Sequence, residues 1–141
     1  ILDRNLEINL RSYIAKSIKN ENTIIFHNSN DKSKINLLKK RGAILIKRPT
    51  DKYKNLDLKK ILKDLYKMEI RNLLVEGGDI LTKNFLQKKL FNEFYMFRSS
   101  KNLSKNKKHV NFTSFSILNT KYNKHKINSK LATDKLTIYK N

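Results

Sequence analysis

The 141-residue chain contains no cysteine. That excludes disulfides, thiolate metal sites and cysteine nucleophiles. Its three histidines, His27, His109 and His125, are scattered without ligand spacing, so a structural zinc site is not expected. No apolar run reaches the roughly eighteen residues that suggest a membrane span. The start is unlike a signal peptide, because Asp3 and Arg4 interrupt any apolar stretch at once. No Gly-, Pro- or Ser-rich linker divides the chain, and no internal repeat appears. The length suits one domain with one core.

Acids are scarce too. Twelve Asp and Glu against 32 Lys and Arg give a net charge of +20. Such a charge can serve an anionic partner, nucleic acid or membrane. The distribution argues against that use. Lys far outnumbers Arg, and Lys, Asn and Ile dominate, as AT-rich codons dictate. The lysines run through every expected element instead of clustering with Arg and aromatics. Codon bias is therefore the preferred reading, with neither nucleic acid nor membrane as partner. A basic, non-catalytic nucleic-acid-binding α/β module stays as the alternative.

What is present is a succession of periodic segments. Leu6, Ile8 and Leu10 alternate with polar residues and suggest a short extended piece. Residues 23–27 read as a buried strand ending in the loop 28–30. Asn30 or Asp31 can cap a helix through Ile35 and Leu38, with Gly42 as its C′ residue. Residues 43–46 form the next strand, closed by Arg48 and Pro49. Asp57 caps a helix whose Leu58, Ile61, Leu62 and Leu65 make one apolar stripe. After the connector 69–71, a central strand is expected over 72–76 and a helix over 79–89. Residues 94–97 read as another strand and the lysine-rich 100–109 as a mobile loop. Residues 122–129 and 135–140 alternate around Thr133 and Asp134, as in an antiparallel hairpin. The order predicts an α/β fold: a mainly parallel sheet flanked by helices, with antiparallel C-terminal strands.

The segment with most chemical content is Leu73-Leu74-Val75-Glu76-Gly77-Gly78, leading into Asp79-Ile80-Leu81-Thr82-Lys83-Asn84-Phe85-Leu86. An apolar run ends in a carboxylate, two side-chain-free residues follow, and a helix begins. In open α/β sheets ligands bind at such strand ends. Amides at a helix start favour phosphate. The glycines would let a ligand approach the backbone where a Cβ collides. The plain counter-reading is a tight strand-to-helix turn with a solvated acid.

The block from Asn72 to Glu93 resembles the reductase domain of the bacterial bifunctional riboflavin-biosynthesis deaminase/reductase. That family has an apolar strand, Glu-Gly-Gly, a helix with Phe-Leu, and then Leu-x-Asp-Glu. The opening from Ile1 to Ile8 and the phrase Lys40-Arg41-Gly42-Ala43-Ile44-Leu45 are similar to the family as well. The resemblance implies a dihydrofolate-reductase-like fold. It implies NADPH-dependent reduction of 5-amino-6-(5-phosphoribosylamino)uracil to the ribitylamino compound. It places Glu76 on substrate and Gly78, Asp79, Ile80, Leu81, Thr82, Lys83 and Asn84 on NADPH. Arg4 stands where many members have a cofactor-contacting Ser. Asp3 is either a strand-end cap or a cofactor neighbour, and Gly77 is a neighbour of the site. An unusual backbone at Gly77 and Gly78, including a cis peptide, would match the same enzymes. A homodimer, an upstream deaminase domain and a cytoplasmic setting are implied too.

Some positions depart from the family pattern. Asn92 replaces an Asp, and Arg98-Ser99-Ser100-Lys101 stands where the family has a loop with Pro and Gly. The family's first strand, helix and substrate-selecting loop have no counterpart. The chain is therefore expected to be the latter part of a reductase domain. A different reductase on the same scaffold is a further alternative.

Overall fold

A computed structural model describes residues 1–100, 112–127 and 133–141. They form two compact units, Ile1–Leu73 and Leu74–Asn141.

The first unit holds α1 (Tyr13–Ser17), β1 (Ile24–His27), α2 (Lys32–Lys40), β2 (Ile44–Lys47) and α3 (Leu58–Lys67). Strands β1 and β2 pair in parallel, Ile25 opposite Leu45 and Phe26 opposite Ile46. The first residues add a further parallel row: Leu2 bridges Phe26, and the Asp3 amide donates to the Phe26 carbonyl at 3.0 Å. Side chains alternate along a strand, so the two faces of β1 feed different cores. Ile25 packs with Leu6, Ala15, Ile18, Leu38 and Ala43. Phe26 packs with Leu56 and Ile61. Both faces are therefore covered by helical or loop residues, as parallel strands require.

The helix ends follow from local chemistry. Asp31 caps α2 by accepting from the Lys34 amide at 2.9 Å, and Asp57 caps α3 through the amides of Lys59 and Lys60. Helix α2 stops in a Schellman motif. Gly42 has φ of 99°, its amide donates to Lys39, and the Ala43 amide donates to Leu38. Helix α3 stops in the same way with Glu69 at φ 63°. A third helix, α4 (Asp79–Gln87), does so with Lys89 at φ 52°.

The second unit contains α4, β3 (Glu93–Arg98), α5 (Phe115–Lys121), β4 (Asn123–Ile127) and β5 (Lys135–Lys140). Its sheet is antiparallel in the order β3-β5-β4. One face packs Phe94, Met96 and Tyr139 with Leu86 of α4 and Leu118 of α5. On the other face Tyr95 and Phe97 are exposed.

The α/β class, with parallel strands and antiparallel C-terminal strands, is as expected from the sequence. The terminal hairpin is present, although 128–132 lie outside the described residues, as do 101–109 of the expected loop. Three local readings need correction. Residues 72–76 join no ladder, and Leu73, Leu74 and Val75 are exposed. Their composition records a preference for burial, but a strand also needs a neighbour to pair with. Residues 6–10 join no strand, and Leu6 adopts φ 58° with its buried side chain in the first core. Helices α1 and α5 were not foreseen, each being too short to show a full apolar period.

Candidate active site

Residues 76–84 lie on one continuous turn and helix of the second unit. Gly78 is the N-cap of α4, with φ −71°, ψ 176° and no side-chain cap. The first intrahelical bond runs from the Thr82 amide to the Gly78 carbonyl at 3.1 Å. The amides of Asp79, Ile80 and Leu81 therefore point out of the helix start without an intrahelical acceptor. The Thr82 N–H is already used within the helix, so the free amides end at Leu81. Glu76 is exposed and makes no hydrogen bond or ion pair among the described residues.

The two glycines differ in their surroundings. A Cβ on Gly77 would meet Leu81 Cδ2 at 2.6 Å and Leu81 Cβ at 3.2 Å. A Cβ on Gly78 would meet nothing within 4 Å. The anticipated unusual backbone is absent: there is no cis peptide among the described residues, and neither glycine has positive φ. Gly78 is ordinary extended backbone that any residue adopts, so the fold itself does not demand glycine there. The open space above it is what a bound group could use.

The Asp79 carboxylate is engaged by the backbone and side chains that lead into α5. It accepts from the Thr113 amide at 3.0 Å, the Ser114 amide at 3.1 Å and the Ser114 hydroxyl at 2.9 Å, and also from the Thr113 hydroxyl. These bonds, the Thr113 hydroxyl foremost, hold its pKa below the ordinary carboxylate value. Asn84 folds back on its own helix, donating to the Ile80 carbonyl at 2.9 Å. Lys83 and Ile80 are exposed, whereas Leu81 and Thr82 are partly buried.

Asp3 and Arg4 belong to the first unit, beside the carboxyl end of β1. Asp3 is a cap: its oxygens accept from the Glu7 and Ile8 amides, both at 2.8 Å. Arg4 donates to the Lys54 carbonyl at 2.5 Å and to Asn5 at 3.1 Å, which leaves further guanidinium donors over. His27, at the same strand end, is buried, and its Nδ1 has no hydrogen-bond partner among the described residues. Burial, the largest effect, lowers its pKa from the ordinary value. Sequence reasoning attached no role to His27, and it overlooked Thr113 and Ser114. The signal for the latter pair was a Ser just before Phe115 and Leu118, an N-cap ahead of an i, i+3 pair.

Among the described residues no group of His, Asp or Glu is placed to hold a metal ion. No helix among them is long and apolar enough to cross a membrane. The family model of the RibD C-terminal domain matches residues 1–130. The chain belongs to the RibD C-terminal domain family. The riboflavin biosynthesis protein RibD of Aquifex aeolicus is 32% identical over 102 residues, which cover 72% of this chain and 26% of that protein. Two crystal forms of Acinetobacter baumannii RibD share the fold, with TM-scores of 0.69 and 0.68 at 18% identity. Each alignment covers 99% of this chain and 36% of that one. A pyrimidine reductase-like protein from Corynebacterium diphtheriae gives a TM-score of 0.67 at 14% identity, covering 99% of this chain and 58% of that one. This RibD-type chain thus spans about a quarter of its curated relative.

Proposed function

We propose that this chain serves the NADPH-dependent reduction of 5-amino-6-(5-phosphoribosylamino)uracil, with residues 76–84 at the site. The observation that carries the reading is the junction of Glu76, Gly77 and Gly78 with α4 in a member of the RibD C-terminal domain family. The residues fit a dinucleotide. Free amides of Asp79, Ile80 and Leu81 would hold phosphate oxygens, and the helix dipole adds to their pull. The space above Gly78 admits a group close to the backbone. Lys83 would add a cation on the exposed side of the same helix, and a cofactor contact at Arg4 is proposed from the resemblance alone. NADPH, when bound, supplies the hydride that reduces C1′ of the opened ribose.

The chain's own contribution is positioning and exclusion of water. Glu76 has no partner among the described residues, so its carboxylate is proposed to accept from the aminouracil or from the sugar hydroxyls. No side chain needs to act as nucleophile. A homodimer and an accompanying deaminase domain are proposed partners, and the cytoplasm the proposed setting.

The test is turnover of the ribosylaminouracil phosphate beside NADPH titration, in a protein containing this region. Glu76→Gln should lower turnover at least tenfold while changing NADPH affinity about threefold or less, as a substrate contact does. Unchanged turnover, or a wild-type protein indifferent to NADPH, defeats the assignment.

A further inference from the structure

We propose that Asp79 is a positioning residue, whose carboxylate clamps the start of α4 to the start of α5 and so holds the free amides of α4 in register for an anionic ligand. Asp79 opens α4, and its two oxygens take four hydrogen bonds from Thr113 and Ser114. Two of these donors are backbone amides. Ser114 is the N-cap of α5, yet its own side chain makes no cap bond. Asp79 instead takes the amide and hydroxyl of that N-cap residue, from 35 residues away in the chain. The acid of one helix thus ties down the backbone that leads into another, at Thr113 and the N-cap Ser114.

The packing supports a clamp. Ser114 is fully buried, and so is Leu118 one turn further on. Leu118 shares a core with Leu86, one face of α4 later. Polar bonds at the two helix starts and apolar contact along their length fix one relative placement. An unengaged Asp79 carboxylate would stand among the amides proposed to meet phosphate, and like charge would oppose binding. Four donors spread its charge and turn it towards α5.

The inference rests on the reading that α4 receives the cofactor phosphates, and its test separates the two. Asp79→Ala, Asp79→Asn, Ser114→Ala and the Asp79→Ala/Ser114→Ala double variant are compared in the full chain. NADPH affinity is followed by fluorescence titration, and backbone exchange at 79–82 and 113–117 without ligand. The clamp predicts that Asp79→Ala weakens NADPH about tenfold, with the loss on KM more than on kcat. Ser114→Ala should weaken it about threefold, and the double variant no more than Asp79→Ala alone. Asp79→Asn keeps the size and one acceptor, so it should lie between wild type and Asp79→Ala. All four should speed exchange at both helix starts. If Ser114→Ala leaves affinity unchanged while Asp79→Ala weakens it, Asp79 touches the ligand directly and the inference falls. It falls equally if exchange rises at one helix start and not the other. If wild type ignores NADPH but exchange at the two starts remains coupled, the cofactor reading fails and the clamp stands.

Discussion

The two units solve the burial of a sheet differently. In the first, β1 sends Ile25 into one core and Phe26 into another, so both faces are covered. In the second, the antiparallel sheet buries Phe94, Met96 and Tyr139 on one face and leaves Tyr95 and Phe97 exposed on the other. Parallel pairing comes with crossovers that supply the covering helices, whereas a hairpin sheet brings no such cover. The lesson concerns where function can sit. A unit closed on both faces offers its strand ends, and a unit closed on one face also offers helix starts and edges.

The comparison breaks most visibly at the centre of each core. Tyr139→Ala should cost about 3–5 kcal/mol, because a fully buried ring is lost along with its bond to Asn119. Leu38→Ala in the first unit should cost about 2–5 kcal/mol. Denaturant unfolding gives the magnitudes. Amide exchange should show each loss concentrated in its own unit, and uniform loss would contradict two separate cores.

The glycines sharpen the contrast between fold and function within one turn. Gly77→Ala meets Leu81 and should destabilise by about 1–3 kcal/mol. Gly78→Ala has open space and permissive backbone, so its stability should stay within about 0.5 kcal/mol of wild type. Its NADPH affinity should nevertheless fall. A thermal melt and a titration on the same two variants check both statements.

Acid separates the units next. Asp79 and His27 both have folded pKa values below their unfolded ones. Each therefore contributes stability that is full above its unfolded pKa and is lost as pH falls through the depressed folded value. The first unit should weaken as pH drops below the ordinary histidine range, and the second only below the ordinary carboxylate range. Urea midpoints against pH, with unit-resolved exchange, test this. His27→Leu should flatten the first loss and Asp79→Asn the second.

The smallest effect is a gain. Glu69→Gly and Lys89→Gly relieve left-handed backbone at two helix ends, each by about 0.5–1 kcal/mol. Gly42 already shows the relaxed version.

Much of this architecture was legible in the sequence. Asp31, Gly42 and Asp57 marked helix ends because caps act within a few residues. The stripe through Leu58 and Ile61 marked a buried face for the same local reason. The helix start after Glu76, Gly77 and Gly78 was legible because a carboxylate and two glycines before an amphipathic run are an unusual local string. Pairing was not legible where it depends on distant neighbours, as with the apolar 73–75. Nor were the hydrogen bonds of Asp79 legible, since its partners lie more than thirty residues away and no local pattern connects them.

The strand order β3-β5-β4 has a consequence for synthesis. The last strand made is the middle one of its sheet. Residues 93–127 emerge with two strands that have no partner in each other, and they must wait for 135–140. The first unit has all its strands and helices by residue 67. Domains made first tend to fold first on the ribosome. The second unit therefore spends the interval with unpaired strand edges, which are sticky surfaces. Arg98 of β3 and Lys124 of β4 belong to those waiting strands, and mutual repulsion between nascent copies is one service their charge performs at that moment.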